Sequence, residues 1–166
     1  MNNLALMARF NQWVNGHIYD SVATLSDADY RRDRKAFFGS IHRTLNHLLV
    51  VDRLWTGRIR GIDPGITSLT EILFDEFEPL RAARGREDEG LIELVDGIDE
   101  DRIASTIVYT SMLGDGEQQT RLDHILITLY NHQTHHRGQV HAMLTQAGVT
   151  PTDIDVIYYL ETVGLS

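Results

Sequence analysis

The chain has 166 residues, of which 24 are acidic and 15 are basic, and its formal net charge is -9. This length predicts one domain, residues 1–166, that buries about 70% of its unfolded surface around a single core. The hydrophobic share of 42% excludes a disordered or collagen-like chain, and the negative charge argues against nucleic acid as a partner, because it repels a polyanion.

Cysteine is absent from the sequence, which excludes disulfides, thiolate nucleophiles and cysteine-based metal sites. Any metal ion must therefore be bound by nitrogen or oxygen. The N-terminus carries no basic segment ahead of a long apolar run, and apolar stretches such as 48–51 span only a few residues. We therefore expect a cytoplasmic protein that makes no membrane contact.

Apolar residues recur at helical spacing over most of the chain, which predicts a mainly α fold. A first helix is predicted from about Asn3 to Leu25, ended by Ser26 and the acidic residues around it. Ser40 is a suitable N-cap for a second helix that runs to about Arg58, before a loop that contains glycine and proline.

Ser68 is a suitable cap for a third helix, which is predicted from about Leu69 to Asp96. Pro79 lies within this range and predicts a kink or an interruption, because proline lacks the backbone N–H that a helix interior requires. The segment 106–121 begins with β-branched and aromatic residues and has two glycines near its middle, which predicts a short hairpin or an extended loop.

A fourth helix is predicted from about Arg121 to Gln146, with Gly148 as its C-terminal signal. The segment 153–160 predicts one further short helix. No internal repeat or linker interrupts the pattern, so the sequence predicts an all-α four-helix bundle with the short hairpin or extended loop before its last long helix.

The sequence contains eight histidines, and five of them lie between His124 and His141. An α-helix turns about 100° per residue, which places each histidine relative to the apolar stripe of its helix. His132 and His136 fall within the stripe of the fourth helix, and His47 falls within that of the second. The five remaining histidines lie at the edge of a stripe or away from it: His17, His42, His124, His135 and His141. Of these, His42 and His141 are expected to face solvent.

His132 and His136 are one helical turn apart, so their ring nitrogens can converge on one ion, and His47 would complete a three-nitrogen site. Three buried imidazoles without a cation would leave hydrogen-bonding groups unsatisfied, at about 1–3 kcal/mol for each unpaired group. The alternative for each ring by itself is an ordinary hydrogen-bonded core histidine. A nitrogen-only site would hold a divalent ion, zinc or nickel first, with iron, cobalt, copper or manganese as alternatives.

Polar side chains on the inner faces could surround such a site. Asn11 and Asn15 lie near the inner stripe of the first helix, and Gln139 follows the histidine pair by one turn. Each could orient a ligand or line a pocket, and the alternative is a hydrogen bond between helices. Arg137 is expected to form an ion pair, and Asp52, off the inner stripe, is expected to be such a partner rather than a metal ligand.

Four segments of the chain form a recognisable pattern: Asn131–Gln139, with the sequence NHQTHHRGQ, then His47–Trp55, the Asn11-Gln12-Trp13 region and Gly114–Gly116. Together they resemble the DinB-like family of metal-binding bundle proteins. Their order and spacing extend the resemblance over nearly the whole chain. It implies a four-helix bundle, often a homodimer, with a divalent metal ion held by three histidines that match His47, His132 and His136.

The resemblance also suggests a range of activities. Family relatives include metal-dependent enzymes that use low-molecular-weight thiols such as mycothiol or bacillithiol, acting as isomerases or S-transferases, and many members have no known reaction. This chain has His132 where the mycothiol-dependent relatives tend to have a glutamate. That difference argues against their particular isomerase activity.

Three neutral imidazoles would leave a position on the ion for water or for a thiol, either of which would become a nucleophile there. No acidic residue lies between His124 and Gln146 to act as a general base. The sequence therefore favours a metal- and thiol-dependent transferase that acts on a small molecule. The alternatives are a metal-dependent hydrolase and a non-catalytic metal-binding stress-response module.

Trp13 falls on the side of the first helix opposite Leu4. A large aromatic side chain in that position needs cover from the C-terminal tail or from another subunit. We expect a homodimer.

Overall fold

The computed structural model describes residues 3–165. Four long helices account for most of this part of the chain, which confirms the mainly α class. The elements in chain order are α1 (Asn3–Val22), α2 (Asp27–Arg31), α3 (Ile41–Arg60), α4 (Phe77–Asp96), α5 (Glu100–Ile103), β1 (Thr106–Thr110), β2 (Glu117–Arg121), α6 (Leu122–Gln146) and α7 (Val156–Thr162).

The first helix is shorter than its prediction, because α1 ends at Val22 rather than at Leu25. Ser26 was expected only to end that helix. Its hydroxyl instead accepts a hydrogen bond from the backbone N–H of Asp29 and caps the short helix α2. The chain thus turns through a second helical segment before it reaches α3.

Both ends of α3 follow from local sequence signals. The Ser40 hydroxyl caps the helix by accepting from the backbone N–H of Arg43, as predicted. Gly61 ends it in the left-handed conformation at φ 69°, which favours glycine. The helix therefore extends slightly beyond its predicted end at Arg58.

The prediction of the third long helix is wrong in its first part. Residues 61–76 are not helical, and α4 begins only at Phe77. Pro79 then lies in the first turn of α4. Backbone N–H groups there have no acceptor within the helix, so the N–H that proline lacks costs no hydrogen bond. Ser68 caps no helix and hydrogen-bonds within the non-helical segment. The Asn46 side chain of α3 binds this segment through Phe74.

The predicted hairpin is present, with β1 and β2 antiparallel and Val108 opposite Gln119. Gly114 and Gly116 adopt positive φ in the connecting loop. α6 follows the hairpin directly, and α7 is the short helix predicted near the C-terminus. No helix within the described residues is both long and apolar enough to cross a membrane.

The four long helices pack as a bundle in which α1 contacts α4 and α6, and α3 contacts the same two helices. Two apolar clusters fill its interior at different levels. Between them every long helix contributes buried polar residues to one layer: Asn11, Asn15, Asp52, Arg84, Asp88, Gln133 and Arg137. The inward histidines of α3 and α6 lie near this layer.

Candidate metal centre

Three histidines meet between α3 and α6. His47 comes from α3, and His132 and His136 come from successive turns of α6. One ring nitrogen from each lies within 4.8 Å of those of the other two. His47 and His136 are almost fully buried, and His132 is half-buried. The structure therefore brings together the three residues that helical spacing had placed on inward faces.

Two of the three imidazoles are oriented by an oxygen outside the cluster. The Nδ1 atom of His47 lies 2.7 Å from the carbonyl oxygen of Leu69. The Nδ1 atom of His136 lies 2.9 Å from Oε1 of Gln139. Each oxygen accepts the Nδ1 proton, so the lone pair of the neutral ring lies on Nε2. Such partners are typical of metal-binding histidines, because they set both the tautomer and the direction of the ring.

One pair of ring nitrogens has the spacing expected for two ligands of a divalent cation. Nε2 of His47 lies 3.1 Å from Nε2 of His132, while two nitrogens on one tetrahedral zinc ion, each about 2.0 Å from it, lie about 3.3 Å apart. Nδ1 of His132 is buried without a hydrogen-bond partner in the described part of the chain. An all-nitrogen donor set suits zinc, nickel, cobalt, iron or copper better than the oxygen-seeking ions magnesium and calcium.

The imidazoles are in the form that binds metal. Burial lowers the pKa of His47 and His136. For His132, burial and then the proximity of the other two rings lower the pKa to about 3. Near neutral pH all three rings are therefore uncharged and have a lone pair available.

An aromatic side chain covers one side of the cluster. The Phe38 ring stacks on His47, with ring centroids 4.0 Å apart, and lies 5.3 Å from the His136 ring. On another side, His47 and His132 form part of the wall of a cavity of about 280 Å³. Its remaining wall includes Leu54 and Trp55, so a small molecule in the cavity would lie beside the histidines.

The other histidines lie outside the cluster, and one prediction among them is wrong. His42 was expected to face solvent, but it is only 7% exposed, and its Nε2 atom lies 3.3 Å from the carbonyl oxygen of Phe74. The non-helical segment before α4 covers it, and sequence periodicity gave no sign of that segment. His141 is half-buried, and His135 is exposed, with its Nε2 atom 3.2 Å from Nε2 of Gln139.

The three amides occupy different places. Gln139 bonds to a histidine of the cluster, as described above. Asn11 and Asn15 have no hydrogen bond to it: both donate to Asp88 and both accept from Arg137. Their bonds join α1 to α4 and to α6. The two asparagines therefore form hydrogen bonds between helices, which was the alternative to a role at the metal site. Asn15 also lines a cavity on the side of α1 and α4.

Sequence reasoning misplaced Asp52 and missed its main partner. Asp52 was expected off the inner stripe, as an ion-pair partner for a residue such as Arg137. It is instead fully buried. Its Oδ2 atom accepts hydrogen bonds from Arg84 at 2.6 Å and from Gln133 at 2.5 Å. Arg84 also lies 2.9 Å from Asp88. A helical projection of α4 could have revealed Arg84 and Asp88, because both lie on its buried face with Leu80 and Leu91.

The comparison with known proteins agrees with the resemblance seen in the sequence. The profile of the DinB family matches residues 1–163. The chain is 24% identical over 159 residues to the protein DinB of Bacillus subtilis (strain 168), and the alignment covers 91% of this chain and 90% of that protein. Because the family match extends over nearly the whole chain and the predicted bundle is present, this chain belongs to the DinB family.

Proposed function

We propose that this protein is a metal-dependent transferase that uses a low-molecular-weight thiol. The observation that carries the proposal is a cluster of three uncharged imidazoles, two of which line a cavity whose wall, within the described residues, includes no carboxylate. A divalent ion bound to them would lower the pKa of a thiol or a water molecule that bound to it.

The residues of the chain contribute orientation and exclusion of water. Leu69 and Gln139 hold the rings of His47 and His136 with their Nε2 lone pairs available. Leu54 and Trp55 present apolar surface to a molecule in the cavity. In the transfer, the thiol sulfur forms a bond to an electrophilic carbon, the leaving group departs with its bonding electrons, and the thiol proton passes to solvent.

The surroundings favour a thiol over water as the nucleophile. A hydrolase commonly uses a carboxylate near its metal ion as a general base. The buried carboxylates nearest in the bundle layer, Asp52 and Asp88, are bound to Arg84 and to amide side chains instead. A thiol needs no such base to become a nucleophile once its pKa is low. Low-molecular-weight thiols are kept reduced in the cytoplasm, which is the compartment we propose for the reaction.

The metal site is tested by elemental analysis of untagged protein and of single variants. We expect His47→Ala, His132→Ala and His136→Ala each to lower metal affinity more than about 100-fold, because even the outer partners of metal ligands contribute about 10–100-fold. His141→Ala removes a histidine of the same helix outside the cluster and should retain the metal. Equal loss of metal from His141→Ala, or none from His136→Ala, would contradict the assignment.

The thiol is tested with cobalt-substituted protein and a panel of cellular thiols. A thiolate bound to cobalt adds a sulfur-to-metal charge-transfer band that nitrogen and oxygen ligands do not produce. We expect one thiol to produce this band and to react with an electrophile such as 1-chloro-2,4-dinitrobenzene only when metal is present. Metal-dependent hydrolysis of an ester or amide, with no thiol band across the panel, would favour the hydrolase.

A further inference from the structure

The cavity beside the histidines has an aromatic and apolar wall formed by α3 and by the β1–β2 hairpin with its loop. Trp55 and Leu54 come from α3, Tyr109 comes from β1, and Met112 and Leu113 come from the hairpin loop. Its volume of about 280 Å³ lies just below the usual range of small-molecule sites, which begins at about 300 Å³. The cavity therefore suits a small molecule with an apolar body.

One cation lies in this wall and is held in a fixed orientation. The guanidinium carbon of Arg58 lies 4.7 Å from the ring centroid of Trp55 and 4.4 Å from that of Tyr109. Its Nη2 atom donates to the carbonyl oxygen of Thr110 at 2.7 Å. The two rings and this hydrogen bond restrict the guanidinium plane.

Arg58 has no carboxylate partner in the described part of the chain. Other described arginines do form ion pairs with carboxylates, such as Arg9 with Asp96 and Arg121 with Asp123. None of the described residues that line the cavity is acidic, and Arg58 is the permanently charged one among them. In a protein with a net charge of -9, an unpaired guanidinium in an apolar wall is a specific feature that an anionic ligand would complement.

We propose that the cavity binds a small molecule that has an apolar body and a carboxylate or similar anionic group, and that Arg58 binds the anionic group. This inference rests on the proposed function and deepens it, because it names the class of substrate that would lie beside the histidines. The apolar body packs against Trp55 and Met112. Arg58 acts as a binding and specificity residue in the wall of the cavity.

The test compares two ligands of one shape and different charge, 2-naphthoate and 2-naphthamide, by isothermal titration calorimetry on the zinc-loaded protein. We expect naphthoate to bind about ten- to a hundredfold more tightly, the range for hydrogen bonds to a charged group. Arg58→Gln should abolish the preference, so that naphthoate and naphthamide bind with about equal affinity. Arg60→Gln removes one positive charge two residues away, where Arg60 donates to Gly90 outside the cavity, and should change neither affinity.

Equal affinities for the two ligands in the native protein would overturn the inference. So would a preference for naphthoate that persists in Arg58→Gln, because the carboxylate would then bind elsewhere, for example at the metal ion. Arg58→Lys should keep part of the preference, and circular dichroism checks that each variant is folded. If Arg58→Gln does not fold, the native and Arg58→Lys proteins decide the question.

These binding measurements involve no thiol and no turnover. A failure of thiol transfer therefore leaves their outcome unchanged, and a missing charge preference leaves the metal and thiol tests unchanged. The two proposals can thus fail separately.

Discussion

Gln139 shows how a single side chain can set the properties of the histidine cluster without belonging to it. Its Oε1 atom accepts from Nδ1 of His136, and its Nε2 atom faces His135. The amide thus holds the His136 ring in the tautomer that exposes Nε2. Loss of this acceptor would leave the ring free to rotate or to change tautomer.

We expect Gln139→Leu to lower metal affinity by about 10–100-fold, the usual effect of removing an outer partner of a metal ligand. Gln139→Glu keeps an acceptor oxygen at the same length and should retain most of the affinity. A competition titration against a chromophoric chelator measures both variants. If the leucine variant binds metal as tightly as the native protein, Gln139 has no orienting role.

We expect Asp52 to make the stability of the protein depend on pH, in the direction opposite to that of a carboxylate whose pKa is lowered by an ion pair. Burial raises its pKa to about 6, although Arg84 and Gln133 oppose this effect, and the charge of Asp88 adds to it. The cation of Arg137 also lies in this buried cluster. A carboxyl with a raised pKa binds its proton more tightly in the folded state than in the unfolded state.

The contribution of Asp52 to the free energy of unfolding should therefore decrease as the pH rises from about 4 to about 6 and stay constant above that. A rise in pKa from 3.8 to about 6 corresponds to at most about 3 kcal/mol. Urea unfolding of the native protein and of Asp52→Asn across pH 4 to 7 measures the difference between them. A native advantage that grows with pH over this window would show that Arg84 lowers the pKa instead.

At the scale of elements, the non-helical segment 61–76 provides hydrogen-bond partners for the histidines of α3. Its Leu69 carbonyl orients the His47 ring, and its Phe74 carbonyl hydrogen-bonds to His42. Asn46, fully buried on α3, attaches the segment by donating to the carbonyl oxygen of Phe74 and accepting from its N–H. A side-chain amide here replaces the backbone partners that a helix or strand would provide.

We expect Asn46→Ala to destabilise the protein by about 1–3 kcal/mol, because it leaves buried polar groups of the segment unpaired. Hydrogen exchange should become faster around residues 69–74, while the centre of α6 stays protected. Gln146→Ala, at an exposed site at the end of α6, is the control and should change neither quantity. Unchanged exchange at residues 69–74 would mean that other contacts hold the segment.

At the scale of the whole molecule, the central layer combines two arginines and two aspartates, so its formal charges cancel. Arg84 contacts both carboxylates, and Arg137 bonds to the asparagines that also bind Asp88. Burial of single charges would be costly, whereas this mutual pairing satisfies most of them. The layer also lies between the two apolar clusters.

The homodimer stays a prediction, and an apolar surface other than Trp13 now supports it. Trp13 packs against Tyr159 of α7, with ring centroids 5.8 Å apart, so the C-terminal tail already gives it cover. A more exposed apolar site lies between α1 and α6, where Ile127, 57% exposed, borders a cavity of about 490 Å³ with Leu4 and Met7. An apolar patch of this kind favours association.

Light scattering should therefore give about twice the chain mass of 18.9 kDa. Ile127→Asp should shift the protein toward the monomer, because it places a charge within the apolar contact. A monomer mass for the native protein across micromolar concentrations would refute the prediction.

Local periodicity and capping chemistry determined much of this protein in advance. The stripe of α6 placed His132 and His136 on one inward face, and Ser40 predicted the start of α3, because both signals depend only on residues within a few positions of one another. The family resemblance implied that these two histidines and His47 bind one metal ion. These features could be derived from the sequence because helix geometry is regular.

Only the tertiary structure decided which groups surround those histidines. The carbonyl that orients His47 lies 22 residues further along the chain in a segment without regular structure, and a backbone oxygen leaves no mark in the sequence. Arg58 lies between aromatic rings from α3 and β1, and Asp52 meets Arg84 from another helix. Such contacts depend on how separate elements pack, which a periodicity measured within one element does not specify.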